Sequence, residues 1–524
     1  MSQKIKVKFN EANKALAYFD PTTLLIKLNI SNDDIPIFER NPRKILRKFP
    51  TSVIVHELAH FFQTTATSNG LRMFMFLADS LTIKFHIIKE LVRLCDGELI
   101  VPILRNFPRP LDPKSELTKN LSLYVEVVVK QLSHYGGWDL EPKILSSSKR
   151  LASFLYRGES EFFTLKIYPL LMDMRSIDRT QRVTVFGAHH IREGMSKALD
   201  LIQAHMKKEL ALRAYSPKDK DSVPFTFSDV MLSLDPYFLS QLIYANLVNQ
   251  IAGCEENSSL EEFVAISDLA LMGDIWICNW TQVQNLDPKE RDKELKVLDQ
   301  IDDNCTPGMV FIHLLNTFGS CWKKLKRLSG HASQIDVSNF QNELLQHSGG
   351  ATLEEIVREC EAYIEKGFIN LKEVSPIPNA VLELYQGIFK EVFNHRKKLL
   401  HNGALILDLL TSDKYIYDFF LSFVPAFIAG GNIYSSSSSR LSDVGVGVDL
   451  LTLKQIQDLT NAFMLGDKPC PIHVEKPRSC VLSPSDSCNY ASKLGNNTSK
   501  CIREQTYQHL LETLNIKTLK WHSN

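Results

Sequence analysis

The chain has 524 residues, 44% hydrophobic and 23% charged, which is ordinary for a globular protein and excludes a disordered or fibrous class. That length exceeds what one hydrophobic core usually holds, so two to four structural units are expected. Sixty basic residues cancel sixty acidic ones, which removes any global electrostatic reason to expect nucleic acid or an anionic membrane as partner.

At the N-terminus, Met1-Ser2-Gln3-Lys4 leads directly into Lys4–Phe9, a polar/apolar alternation that reads as a half-buried strand rather than a secretory leader. Ala15–Phe19, the turn Asp20-Pro21-Thr22-Thr23 and Leu24–Ile30 then read as strand, turn, strand. Next comes Val53-Ile54-Val55-His56-Glu57-Leu58-Ala59-His60-Phe61-Phe62-Gln63. Neither proline nor glycine interrupts it, and every residue apart from His56, Glu57, His60 and Gln63 is apolar. It reads as a buried helix whose polar atoms serve a site. Residues i and i+4 stand one above the other on a helix, so the imidazoles of His56 and His60 can converge on one metal ion. Glu57, about 100° round the helix, would reach past that ion to a bound water. Gln63 shares the face of His56 and can stand behind a ligand or touch a substrate; a buried amide bonded to a neighbouring loop fits equally.

HELAH within VIVHELAHFFQ resembles the active-site helix of the zincin metallopeptidases. The resemblance implies a zinc ion, Zn2+, held by His56 and His60, with Glu57 as general base. The extension typical of metzincins is missing, since Phe61–Ala66 contains neither glycine nor histidine. A glutamate ligand on a later helix is implied instead, as in the gluzincin branch. Glu193, in Gly187-Ala188-His189-His190-Ile191-Arg192-Glu193-Gly194-Met195, resembles that third-ligand segment, and Gly194 would let two helices approach closely. Glu159, Glu161, Asp79 and His189 are the rival ligands. This chain departs from the pattern in its long insert between His60 and Glu193, and in carrying Lys197 four residues after the glutamate, with Asp200 a turn further on. A small sheet ahead of the helix also agrees with the resemblance, whose edge strand would flank a cleft for an extended peptide. For a donor to the oxyanion, the sequence offers His189, His190, Arg192 and several tyrosines; His190 is the choice here.

After residue 215 the pattern is mostly helical. Tyr215–Pro224, with two prolines and dense charge, reads as a linker. Helices are expected from Phe227, over Leu260–Trp280 behind the cap-like Asn257-Ser258-Ser259, over Met309–Leu328, from Thr352, and over Pro378–His401. Lys323–Arg327, like residues 40–48, reads as a solvated basic face. The longest apolar run, Phe419–Gly430, contains Pro425 and falls short of the roughly 20 residues that cross a bilayer, so a cytoplasmic protein working away from membranes is expected. Ser435–Ser439 reads as a low-complexity loop. In the tail, Cys470, His473, Cys480, Cys488 and Cys501 lack paired Cys-x-x-Cys knuckles and read first as scattered reduced thiols, with a structural zinc site as the alternative. The other six cysteines, Cys95, Cys254, Cys278, Cys305, Cys321 and Cys360, read as core.

The expected fold class is α+β, predominantly α-helical, with a small N-terminal β-sheet packed on the active-site helix. Residues 1–215 form a catalytic region, 225–465 a helical domain and 466–524 a Cys-rich segment. The expected function is zinc-dependent hydrolysis of a peptide or protein substrate. The alternatives are a zinc hydrolase of a non-peptide amide and a non-catalytic helical scaffold.

Overall fold

The computed structural model describes residues 16–29, 46–47, 49–101, 103, 114–136, 139–140, 152–154, 165–167, 171–175, 181–206, 236–252, 259–273, 306–328, 334–348, 352–399, 413–429, 432–435, 444–465 and 502–521. Expectations for Lys4–Phe9, Glu159 and Glu161, the 215–224 linker, the helix start at Phe227, Cys254, Cys278, Cys305 and the whole Cys470–Cys501 cluster lie outside these residues.

The described chain is mostly helical with a small mixed sheet. Strands β1 (Ala17–Asp20) and β2 (Leu25–Leu28) form an antiparallel hairpin in the register Ala17↔Leu28 to Asp20↔Leu25. Its turn is held by Asp20 Oδ1, which accepts the Thr22 N–H at 2.9 Å. Helix α1 (Thr51–Thr65) follows Pro50, whose extended backbone ends the preceding loop. Ile54, Val55, Leu58, Ala59, Phe61 and Phe62 of α1 are wholly buried, as a helix apolar on nearly every side must be.

The chain turns sharply into α2 (Ser68–Leu94), capped by Thr67, whose hydroxyl accepts from Gly70 N. Gly70 lies so close to the Thr64 carbonyl that a Cβ would collide with it. Further along run β3 (Glu98–Val101), α3 (Glu116–Tyr135), the short strands β4 (Asp139–Leu140), β5 (Ala152–Phe154), β6 (Leu165–Ile167), β7 (Leu171–Arg175) and β8 (Gln181–Val185), and α4 (Ala188–Met206). Helices α5 (Pro236–Ala252), α6 (Leu260–Met272), α7 (Pro307–Cys321), α8 (Gln334–Ser348), α9 (Leu353–Val374), α10 (Asn379–Leu399) and α11 (Asp413–Phe423) follow. The last elements are β9 (Ala426–Ala429), β10 (Asn432–Ser435), α12 (Val444–Leu465), α13 (Ile502–Thr513) and β11 (Thr518–Trp521).

The sheet order is β1-β2-β9-β10, with β9 parallel to β2 through Ile26↔Phe427. The sheet expected from the N-terminus alone is thus completed by strands from far down the chain. β11 likewise returns to pair in parallel with β3, Thr518↔Glu98 to Trp521↔Val101. One hydrophobic cluster includes residues from β1, α1, α4, α6, α10 and α12, so core residues on both sides of the expected linker share it. Within it, the Arg396 guanidinium of α10 grips Asp268 of α6 (3.1 and 2.5 Å) and donates to the Ala66 carbonyl (3.2 Å). A buried pair of this kind is stable only when its hydrogen bonds are complete. Among the described residues, no helix is long and apolar enough to cross a membrane. Of the cysteines read as core, Cys321 and Cys360 are buried, whereas Cys95 caps the end of α2 and is exposed.

Candidate metal centre

Helix α1 packs across α4. The apolar stripe of α4, made of Ala188, Ile191, Met195, Ala198, Leu199 and Ile202, is buried, which leaves Glu193, Lys197 and Asp200 along a less covered side. Gly194 permits the crossing with α5, because a Cβ there would meet the Ser240 hydroxyl and, at 3.3 Å, Phe263. The backbone of α4 is tied to α1 directly. Gln63 Nε2 donates to Arg192 O (3.0 Å) and to Ser196 Oγ (3.2 Å), while Arg192 donates to Thr64 Oγ1 and to His60 O.

This packing brings His56, His60 and Glu193 together. Nε2 of His60 stands 3.2 Å from Nε2 of His56 and 3.4 Å from Glu193 Oε2, which is 3.8 Å from His56 Nε2. The side chains are 16%, 13% and 18% exposed, so the group is partly open to solvent rather than inside a closed core. Among the described residues these three form a set of ligand atoms able to hold a metal ion. The dimensions suit one. Ligands held about 2.0–2.1 Å from a tetrahedral ion are about 3.3 Å from one another. Glu193 Oε2 is moreover buried without a hydrogen bond of good geometry, and three atoms able to bear lone pairs face one point, an arrangement that suits a cation. Of the rival ligands that are described, Asp79 is exposed on α2. His189 stands a turn before Glu193 on α4 with Nδ1 4.0 Å from its Oε1.

Electrostatics separate the roles of the site residues. Burial lowers the His56 pKa to about 4, helped by His60 and opposed by Glu193 and Asp200. Burial also works against charge on His60, but the Glu193 carboxylate and then Glu57 outweigh it and raise that pKa. Burial pushes Glu193 up, yet His60, His56 and His189 together bring it down to about 2. Glu57 is different. It is buried beside the set, not in it, and burial with some help from Glu193 raises its pKa to about 7 against the pull of His60 and a hydrogen bond from the Phe19 backbone.

The register explains that last bond. Asn29 N donates to Leu16 O, so by antiparallel alternation Ala17 and Phe19 turn their N–H groups away from β2, toward the outer side of β1. β1 is the edge of its sheet among the described residues and packs on α1.

Compared with protein families, with curated proteins and with solved structures, the chain matches none. Its functional reading therefore rests on its own residues.

His190, chosen from the sequence as oxyanion donor, follows His189 in the first turn of α4. It is buried and stacks on Phe186 (5.3 Å between centroids), and burial lowers its pKa to about 4. His189 and His190 stand four and three residues before Glu193 on α4, and of the two it is His189 that brings a ring nitrogen within 4.0 Å of the Glu193 carboxylate. Arg192, also considered as a donor, is buried and occupied with Thr64 and His60 O. The structure adds groups that the sequence did not single out. The Tyr237 ring lies 5.7 Å from that of His56, Tyr135 lies 5.2 Å from His189, and Ser196 Oγ is 3.3 Å from His60 Nδ1. No periodicity links Tyr237 or Tyr135 to α1, so only the packing could find them.

Proposed function

We propose that this protein is a zinc-dependent metallopeptidase that hydrolyses peptide bonds, with His56, His60 and Glu193 as metal ligands and Glu57 as general base. The observation that carries the reading is the convergence of Glu193, from a helix far along the chain, on the two histidines of α1 with Glu57 beside them. Two imidazole nitrogens and one carboxylate oxygen suit zinc better than calcium or magnesium, which favour all-oxygen sites. Bound there, zinc would polarise a substrate carbonyl and lower the pKa of a coordinated water to about 7.

The chain's own groups supply the rest. Glu57, whose carboxyl changes charge near neutrality, takes a proton from the attacking water as the new C–O bond forms. It returns that proton to the departing nitrogen as the C–N bond breaks. Its position round the helix from His56 keeps the carboxylate off the metal and free for this work. The outer side of β1, where Ala17 turns its backbone away from β2, suits an extended peptide aligned by main-chain hydrogen bonds.

The test is metal analysis of the purified protein, joined to hydrolysis of a mixed peptide library. The wild type is expected to hold one zinc per chain and to cleave. Glu57→Gln is expected to keep the zinc and to lose at least about 100-fold in rate. A wild type that takes up no stoichiometric zinc would favour the scaffold alternative; one that holds zinc but cleaves only non-peptide amides would favour the other.

A further inference from the structure

We propose that Gln63 is a positioning residue that fixes the tautomer of His60 and locks its ring to the helix carrying Glu193. The inference rests on the metal-site reading above but concerns a residue outside the ligand set and outside the general-base role.

Gln63 is fully buried, at 0% exposure. Its amide has only one workable orientation. The Arg192 carbonyl 3.0 Å from Nε2 can only accept, so the NH2 end must face it and the carbonyl end must face His60. Oε1 then stands 2.9 Å from His60 Nδ1. An oxygen at that distance requires a proton on Nδ1. A neutral His60 with its proton on Nδ1 has its lone pair on Nε2, and Nε2 is the atom that faces His56 and Glu193. A metal-ligating histidine is commonly held this way by a partner on its other nitrogen. The partner here is an amide three residues further along the same helix.

The second half of the arrangement is its anchorage. Arg192 and Ser196, the two acceptors of the Gln63 NH2, stand one residue before and three residues after Glu193 on α4. Ser196 is itself fully buried. A single carboxamide thus relates the ring of one ligand to the helix that delivers another. If it were lost, only the longer contact of His60 Nδ1 with Ser196 Oγ, at 3.3 Å, would remain behind the ring, and the spacing of the three ligand atoms would be less firmly imposed.

Zinc affinity, measured by competition with a chelator, and the visible spectrum of the Co2+-substituted protein read this role directly. Thermal melts of the metal-free variants read stability separately. Gln63→Met, which keeps the volume but removes both hydrogen-bonding ends, is expected to weaken zinc binding by about 10–100-fold and to alter the Co2+ spectrum. Gln63→Glu keeps an acceptor for Nδ1–H but loses the donations to Arg192 O and Ser196 Oγ, and is expected to bind zinc with an affinity between those of wild type and Gln63→Met. Ser196→Ala leaves the Arg192 anchor and is expected to lose less than Gln63→Met.

A folded Gln63→Met protein that binds zinc as tightly as wild type, with only its metal-free melt lowered, would overturn the proposal and leave Gln63 a structural amide. If Gln63→Met does not fold, Gln63→Glu decides: a loss of affinity smaller than about 100-fold with the Co2+ spectrum retained supports the role, and a loss that large overturns it. A wild type that binds neither metal fails at the earlier step and removes the metal-site reading along with this one.

Discussion

Burial moves neighbouring groups at the centre in opposite directions, and the direction follows from the charge each would carry. His56 would become cationic and is pushed down to about 4, while Glu57 would become anionic and is pushed up to about 7. Both changes favour uncharged side chains, as the roles proposed for His56 as a metal ligand and Glu57 as a general base would need. The same rule acts on Lys84 of α2, which is not one of the centre's residues. It is 5% exposed, donates to Asn461 Oδ1 at 2.6 Å and lies 5.4 Å from the Tyr124 ring, and burial lowers its pKa to about 8. A depressed folded pKa makes its contribution to stability greatest above the unfolded value of 10.5 and lost as pH falls through about 8. Chemical denaturation of wild type and Lys84→Met from pH 7 to 11 is expected to show the wild type gaining up to about 3 kcal/mol relative to the variant as pH rises through that window. A difference independent of pH would contradict it.

Among the elements, those with purely local causes were readable. α1 runs Thr51–Thr65 around the expected 53–63 segment, Ser259 caps α6 through Glu262 N, and Thr352 with Glu355 makes a complete capping box on α9. The helix expected over Met309–Leu328 ends instead at Cys321. Beyond it Arg327 binds Glu262 (2.6 Å) and Leu328 N donates to the same carboxylate (2.9 Å), so a long-range partner draws the backbone out of the helix that its pattern would continue. Close packing of α4 on α5 gives a test at this scale. Gly194→Ala would drive a methyl group against the Ser240 hydroxyl and is expected to cost about 1–3 kcal/mol of unfolding free energy. Ser240→Ala in the same chain removes the colliding atom and leaves Ser240 Cβ at 3.5 Å, so the double variant is expected to recover part of the loss in a double-mutant cycle. Simple additivity of the two changes would refute the proposed collision.

In the whole molecule, elements remote in sequence complete one another. β2 pairs with β9, β3 with β11, and α4 lies between α1, α5 and α6. A fragment of residues 1–215 lacks β9, α5, α6 and the Arg396–Asp268 pair that holds Ala66. Expressed alone, it is expected to show no cooperative thermal melt by circular dichroism and no stoichiometric zinc by metal analysis. A sharp melt with bound metal would show that residues 1–215 fold independently.

The sequence by itself determined what one helix can specify. The spacing of His56, Glu57 and His60 sets two imidazoles and a carboxylate on adjoining faces, because helical geometry repeats every 3.6 residues whatever surrounds it. The hairpin at Asp20–Thr23 and the helix caps have equally local causes. Only the tertiary structure decided which acid joins the histidines, that His189 rather than His190 faces Glu193, that Gln63 stands behind His60, and that distant strands finish the N-terminal sheet. These are choices among partners far apart in the chain. The entropy of closing such loops grows only slowly with their length, so spacing cannot rank the candidates, and the side-chain packing that does rank them exists only in the folded chain.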